Sequence, residues 1–167
     1  IGMHPAYLER SEISPLNFGL DAFRELVTHP KVVAIGEVGF DTRSAWGELE
    51  EERLLHRQAE VLRRFAGLAE VVRLPVILQA HGAHDELLRF LDWFRTEGGG
   101  IHLRGTVHHF TGSWSVARNY RAHDIVPTLT GLTARSYTCG ELIRAIPADE
   151  LLVESECPHL VYESVST

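Results

Sequence analysis

The sequence has few cysteines and no long hydrophobic run. Cys139 and Cys157 are the only two cysteines among 167 residues, so no disulfide framework is expected. The apolar runs are too short to span a bilayer, and no signal peptide precedes the first predicted element. We therefore expect no membrane partner and a cytoplasmic location, or a nuclear one in a eukaryote. The length predicts about one domain, which we assign to residues 1–167.

Positive charge is also scarce. The chain carries 16 lysines and arginines against 23 aspartates and glutamates, which gives a formal net charge of -7 at pH 7. This balance argues against a broad basic surface for nucleic acid. It does not exclude an enzyme that acts on nucleic acid, because bound divalent cations can supply positive charge locally. Ten histidines, by contrast, are many for this length.

The apolar pattern predicts alternating strands and helices. Short β-branched runs that end at turn-forming residues predict buried strands, and apolar residues that recur at helical spacing predict amphipathic helices. The predicted strands cover residues 31–41, 76–81, 104–110, 125–130 and 151–156, and the longest predicted helices lie within 46–73 and 82–97. This alternation is typical of a parallel α/β sheet or barrel. We expect Asp21 to cap the first helix, and Ser113 or Ser115 a later one.

Glu37 marks the first predicted strand. An apolar run leads into this single carboxylate, and Gly36 and Gly39 flank it. A buried carboxylate is costly unless it is paired or bound to a metal. The simple alternative is a salt-bridged glutamate at the end of a strand. Later strands also end in ligand-type residues, and in a (β/α) barrel the carboxyl ends of the strands carry the active site.

Because side chains alternate between the two faces of a sheet, position along a strand predicts the face on which each of the later polar residues lies. Side chains two residues apart share a face, so Glu154 and Glu156 are expected to point the same way. Gln79 likewise shares a face with the residue two positions on. His108 and His109 are adjacent, so they are expected on opposite faces, with His109 in packing.

Five motifs in order resemble one known family. The segments IGMHP, AIGEVGFD, LPVILQAH, HHFTG and LLVESECP resemble those of the TatD family of metal-dependent deoxyribonucleases. Members of that family typically carry GIHPH, AIGEIGLD, PVIIH, FHCFSG and LLLETDAP. The resemblance covers nearly the whole chain and implies an amidohydrolase-like TIM barrel. The expected fold is α/β, a partial (β/α)8 barrel that lacks its first strands, because the chain begins part-way into the third strand of the family pattern.

The resemblance also implies a site for two divalent metal ions. Glu37 matches the bridging carboxylate, His108 a metal-binding histidine and Glu156 a metal-binding aspartate, and Glu37 and Glu156 are expected to be catalytic. Glu154 and His4 match residues expected on the substrate side. Two hard cations bridged by a carboxylate can clamp a phosphodiester and generate hydroxide at neutral pH. Mg²⁺, Mn²⁺ and Zn²⁺ all suit carboxylate and imidazole ligands.

Several positions depart from the family pattern. No strand with a His-x-His motif is present, and Ala6 replaces the second histidine of GIHPH. Gln79, a weak ligand, stands where the family has a metal-binding histidine. His81 shares its face and is an alternative ligand if the local backbone moves. Glu156 is one methylene longer than the expected aspartate. We therefore expect one of the two metal sites to be incomplete.

Other conspicuous side chains have structural interpretations. Trp114 is expected in core or rim packing rather than stacked on a base. Cys157 has no paired general base in the sequence and is not interpreted as a nucleophile, and Cys139 is expected to be a small buried residue. His159 is assigned to a loop.

Three functions stay open on the sequence. The first is a phosphodiesterase that hydrolyses DNA strands or ends with metal-activated water and needs no obligate protein partner. The second is a truncated or degenerate relative without catalysis. The third is a related barrel hydrolase with another substrate, because a fold does not fix its substrate. Without the His-x-His strand, residues 1–167 alone are expected to be weakly active or inactive.

Overall fold

A computed structural model describes residues 1–9, 18–45, 47–100, 102–131 and 137–156, with only the backbone for 137–139. Four residues with predicted roles fall outside this description. Trp46, the first residue of the predicted helix range 46–73, lies outside the described residues, as do Cys157 and His159. The side chain of Cys139 is likewise not described.

Strands and helices alternate along the described chain. The strands are β1 Ile35–Asp41, β2 Val76–His81, β3 Gly105–Val107, β4 Ile125–Leu129 and β5 Leu152–Val153. The α-helices are α1 Leu20–Leu26, α2 Glu48–Val72, α3 His84–Thr96, α4 Trp114–Arg121 and α5 Tyr137–Ala145. Short 3₁₀ helices cover Pro5–Glu9 and Ala148–Glu150.

The strands form one parallel sheet in chain order. β1 pairs with β2, β2 with β3, β3 with β4 and β4 with β5, all in parallel. Parallel neighbours with helical connections are the repeating unit of a (β/α) barrel. The predicted α/β class is confirmed, and the open sheet is consistent with a partial barrel.

Four of the five observed strands are shorter than predicted, while β2 keeps its predicted bounds. β1 begins at Ile35 rather than at residue 31, and Val33 before it is 73% exposed. β3 ends at Val107, because the backbone leaves the extended region and His109 has a φ of 47°. β5 keeps only two residues, both exposed. Apolar β-branched composition therefore overestimates four of the five strands at the ends where pairing stops.

Helix ends also differ in detail. α2 begins at Glu48 and not at residue 46, with Gly47 as its N-cap. α1 has Gly19 as its N-cap, so Asp21 lies inside the helix and the predicted cap is wrong. Ser113 caps α4 as one of the two predicted serines, and its hydroxyl accepts a hydrogen bond from the Val116 N–H.

The core lies between the sheet and the helices. Leu62 and Phe65 of α2 are fully buried with Ile35 and Val38 of β1. Trp114 is partly buried against the same core, which agrees with the packing role predicted for it. Among the described residues, no helix is both long and apolar enough to cross a membrane.

A buried amide joins this core to the site. Gln58 on α2 is fully buried, and its Nε2 donates to the carbonyl oxygens of Asp41 at 2.9 Å and Pro5 at 3.3 Å. Its Oε1 accepts from the Asp41 N–H at 3.1 Å. One side chain thus ties the end of β1 to the start of the Pro5–Glu9 helix, directly after His4.

Candidate functional site

Glu37 lies at a β-bulge inside β1. Gly36 is opposite Ile77 and Val38 is opposite Leu78, so Glu37 has no partner residue on β2. A bulge of this kind redirects a side chain and is frequent beside active sites. The Glu37 carboxylate is 35% exposed and faces two histidines, with Oε2 3.5 Å from His4 Nε2 and Oε1 3.7 Å from His108 Nε2.

His108 stands between carboxylates at the end of β3. Its Nδ1 lies 2.7 Å from Glu154 Oε2 and its Nε2 lies 2.6 Å from Glu156 Oε1. Glu37 approaches the same Nε2 from β1. The structure therefore brings Glu37, His108 and Glu156 together around one imidazole nitrogen, although they come from β1 and from the segments that follow β3 and β5.

These contacts govern the charge of His108. Burial alone would lower its pKa, but the Glu154 hydrogen bond and the charges of Glu37 and Glu154, with a further bond to Glu156, raise it to about 9. Both ring nitrogens then carry protons at neutral pH and donate to carboxylates. The ring is therefore cationic, and a metal ion bound at Nε2 would displace the proton from that nitrogen.

Both oxygens of the Glu154 carboxylate form hydrogen bonds with protein groups. Besides His108, it accepts a hydrogen bond from the His109 backbone N–H at 2.6 Å, and the Thr128 hydroxyl donates to it. Burial raises the pKa of Glu154, but the hydrogen bonds from His108, Thr128 and the His109 N–H outweigh burial and lower it. Both carboxylate oxygens are thus used within the protein, which favours a role in orienting His108 over direct contact with substrate.

His4 lies across from this cluster. Its Nδ1 accepts a hydrogen bond from the Ala6 N–H at 3.1 Å, so its proton is assigned to Nε2. Nε2 is the atom that faces Glu37, and the side chain is 28% exposed. An N–H donor therefore borders the open side of the carboxylate.

The prediction that His109 faces away from His108 is wrong. The His109 Nδ1 lies 3.6 Å from Glu156 Oε1, the same oxygen that contacts His108. Strand alternation does not apply here, because β3 has ended at Val107 and the left-handed backbone at His109 turns its ring back to the site. Histidine is among the residues that tolerate this conformation most often.

Gln79 and His81 both lie on β2, but they have different neighbours. Gln79 is 5% exposed, and its Oε1 is buried without a hydrogen-bond partner. The His81 ring stacks on His109, with ring centroids 5.9 Å apart and planes 16° apart. Burial, followed by the charge of Arg43, lowers the pKa of His81 and favours its neutral form.

The donor types at this edge fit a divalent cation. Within the described ranges, no group of three or more His, Cys, Asp or Glu side chains is arranged so that it could hold a metal ion. Instead, Glu37 and Glu156 face the protonated His108 Nε2. Two carboxylates and one imidazole converge there, and a buried amide oxygen of Gln79 lacks a donor. Carboxylate and imidazole are donor types that suit divalent cations.

Sequence reasoning missed two features of the site. The first is the bulge at Glu37, which the glycines on either side could have signalled, since glycine inside a strand pattern indicates a bulge. The second is the buried Asp41 with its partner Arg43, beside His81 in the β1–β2 register. An aspartate two residues before an arginine carries no such signal.

Comparison with known proteins gives matches along nearly the whole chain. Residues 1–164 match the family model described as TatD related DNase. The chain is 33% identical over 162 residues to the "Uncharacterized metal-dependent hydrolase YabD" of Bacillus subtilis, covering 96% of this chain and 58% of that protein. It is 35% identical over 142 residues to the "3'-5' ssDNA/RNA exonuclease TatD" of Cronobacter turicensis, covering 83% of this chain and 50% of that protein.

The fold comparison agrees. The crystal structure of YJJV, a TatD homolog from Escherichia coli, superposes with a TM-score of 0.77 at 26% identity, over 98% of this chain and 59% of that one. A TatD family hydrolase from Entamoeba histolytica gives a TM-score of 0.73 at 24% identity, over 95% of this chain and 50% of that one, and shows the fold alone. The chain spans about half the length of the curated relatives it matches. By its sequence motifs, its parallel sheet and the family model over residues 1–164, the chain belongs to the TatD family.

Proposed function

We propose that this chain carries the metal-binding core of a nuclease that hydrolyses phosphodiester bonds in single-stranded nucleic acid. The observation that carries the proposal is the approach of Glu37 and Glu156 to the Nε2 of His108. Relatives named as a metal-dependent hydrolase and as an ssDNA/RNA exonuclease support the reaction and the substrate class. We infer that DNA is the substrate, and RNA is the second substrate to test.

Glu37, His108 and Glu156 would hold the ion. A bound divalent cation polarises a phosphoryl oxygen and lowers the pKa of a water molecule toward neutrality. Glu154 holds the His108 ring in place through Nδ1, as an outer carboxylate does for a metal-binding histidine. We therefore propose Glu154 as a positioning residue.

His4 has a separate role on the substrate side. Its Nδ1 is occupied by the Ala6 N–H, so its Nε2–H is the group available to a phosphate oxygen beside Glu37. A hydrogen bond from a fixed imidazole to a phosphate oxygen would orient the scissile bond. We propose that His4 orients substrate in this way and does not bind the ion.

We propose one complete ion site, with Glu37, His108 and Glu156 as ligands. A second ion would need ligands that the family takes from its His-x-His strand, and Gln79 supplies only a neutral amide in place of an imidazole. A single ion stabilises fewer of the oxygens in the reaction than a pair does. We also propose that residues 1–167 alone are less active than any longer form that the gene encodes.

The test measures nucleotide release from 5′-labelled single-stranded DNA and RNA, with Mg²⁺, Mn²⁺ or Zn²⁺ and with EDTA. Chelator-sensitive release that Glu37→Gln reduces by about a hundredfold or more is expected. Glu25→Gln, at an exposed carboxylate on α1, is the matched control and should keep the activity. If both the chain and its longer form are inactive, or if Glu37→Gln has no effect, the non-catalytic alternative is favoured.

A further inference from the structure

Two buried polar atoms at the candidate site have no partner. Within the described part of the chain, the buried side-chain nitrogen and oxygen atoms without a hydrogen bond are Gln79 Oε1 and His109 Nδ1. Buried polar groups in proteins are nearly always satisfied, so each exception calls for a bound group or water. Gln79 lies within β2, and His109 follows the end of the neighbouring strand β3.

The His109 ring is held firmly with Nδ1 toward the site. Its side chain is 10% exposed, its backbone N–H donates to Glu154, and its ring stacks on His81. Its φ of 47° lies in the left-handed region, which is uncommon for residues other than glycine. Unusual backbone of this kind persists where the surroundings impose it, often at functional sites.

The chemistry around Nδ1 selects a cation. Glu156 Oε1 lies 3.6 Å from His109 Nδ1, too far for a hydrogen bond, and 2.6 Å from His108 Nε2. In the tautomer that carries its proton on Nε2, His109 would present an Nδ1 lone pair, and the neighbouring carboxylate adds negative charge. A lone pair beside a carboxylate is complementary to a positive ion.

We propose that His109 Nδ1 is a ligand of the bound ion, together with His108 and Glu156. This inference rests on the metal site of the proposed function and adds to it a second imidazole, at a position predicted to be packing. Two imidazoles favour a borderline cation such as Zn²⁺ or Co²⁺ over Mg²⁺, which prefers oxygen ligands and keeps its waters. His81 acts as a positioning residue that fixes the ring plane of His109.

Metal binding to the purified chain tests the proposal. Zn²⁺ affinity is measured by competition with a chromophoric chelator, and Mg²⁺ affinity by calorimetry. His109→Asn removes the imidazole but keeps a residue that tolerates positive φ. It should weaken Zn²⁺ binding by about tenfold or more and change Mg²⁺ binding little. His56→Asn, at an exposed position on α2, is the control and should leave both affinities unchanged.

A direct readout on the unaltered chain avoids any effect of the substitution on folding. X-ray absorption of the one-to-one zinc complex should count two imidazole ligands, and one after His109→Asn. A single imidazole in the unaltered chain, an unchanged zinc affinity in His109→Asn, or no zinc binding at all would overturn the proposal.

The nuclease assay separates this proposal from the function on which it rests. If the zinc complex has two imidazole ligands but the chain releases no nucleotides, the proposed nuclease function is rejected and His109 is retained as a ligand. Chelator-sensitive release with one imidazole on zinc would retain the nuclease and reject His109 as a ligand.

Discussion

Arg43 holds the buried carboxylate of Asp41 at the end of β1, with its Nε 2.9 Å from Oδ1. The Arg43 backbone N–H also donates to Oδ1, at 3.1 Å. The Asp41 side chain is 1% exposed, while that of Arg43 is 56% exposed. Asp41 lies opposite His81 in the β1–β2 register, so this pair fixes the strand end that borders the candidate site.

The first prediction concerns pH and stability. Burial raises the pKa of Asp41, but the hydrogen bonds and charge of Arg43 outweigh it and lower the pKa below its ordinary value. A lowered folded-state pKa gives stability that is present above the unfolded value of about 3.9 and is lost as pH falls through the folded value. Urea unfolding at pH values from 7 to 3 should show this loss in the free energy of unfolding. The loss between pH 7 and pH 3 should be smaller in Asp41→Asn than in the unaltered chain.

At pH 7, Asp41→Asn should lower the free energy of unfolding by about 1–3 kcal/mol, since it removes charge-assisted hydrogen bonds at a buried group. Asp21→Asn is the matched control, because Asp21 pairs with Arg24 on α1 but is 90% exposed. Its effect should be small at every pH. Equal losses in the two variants would contradict the role assigned to burial.

The second prediction concerns Gln58. Gln58→Leu keeps the size of the side chain but leaves the Asp41 N–H and carbonyl unsatisfied in the core. We expect a loss of about 2–4 kcal/mol in the free energy of unfolding. Glu52→Ala, at an exposed position on the same helix, should change stability little. Urea unfolding measures both, and similar midpoints would show that these hydrogen bonds contribute little.

The third prediction concerns Glu154 as a positioning residue. Glu154→Gln should weaken Zn²⁺ binding by about tenfold or more, because it removes the carboxylate that orients His108 Nδ1. Thr128→Val, which removes only the hydroxyl bound to Glu154, should have a smaller effect in the same direction. Glu141→Gln, at an exposed position on α5, serves as control. An unchanged zinc affinity in Glu154→Gln would exclude the positioning role.

The fourth prediction concerns Gly39. It has a φ of 140°, and an added Cβ would meet the carbonyl oxygen of Gln79 on β2. Gly39→Ala should therefore destabilise the protein by more than about 1 kcal/mol and weaken metal binding, because it separates the strands beside Glu37. Gly67→Ala on α2 meets no atom within 4 Å and should be neutral or stabilising by up to about 1 kcal/mol. Thermal and urea unfolding of both variants provide the comparison.

Periodicity predicted the parallel α/β sheet because each strand is a short apolar run bounded by turn-forming residues, as at Val76–His81. It failed where the chain leaves regular structure. Alternation assigned His109 to the wrong face, because a strand face has meaning only while the strand continues. The bulge at Glu37 is a further case, since the register against β2 is a property of two segments and not of one.

The candidate site shows the same division. The motifs identified Glu37, His108 and Glu156 as neighbours through a family resemblance, and the structure places one oxygen of each carboxylate within 4 Å of His108 Nε2. The hydrogen bonds that hold them were not predictable from spacing. Thr128 and the His109 N–H meet Glu154 only because β4 lies between β3 and β5.

The chain-ordered sheet sets when the site can exist during folding. His108 and Glu156 are 48 residues apart in sequence and meet only after β4 and β5 have joined the sheet. Contacts of long sequence separation form late, because loop closure must precede them. Binding of the proposed ion would therefore follow the addition of β4 and β5 to the sheet. A nascent chain that has emerged only as far as His108 holds Glu37 and His108 without Glu154 and Glu156.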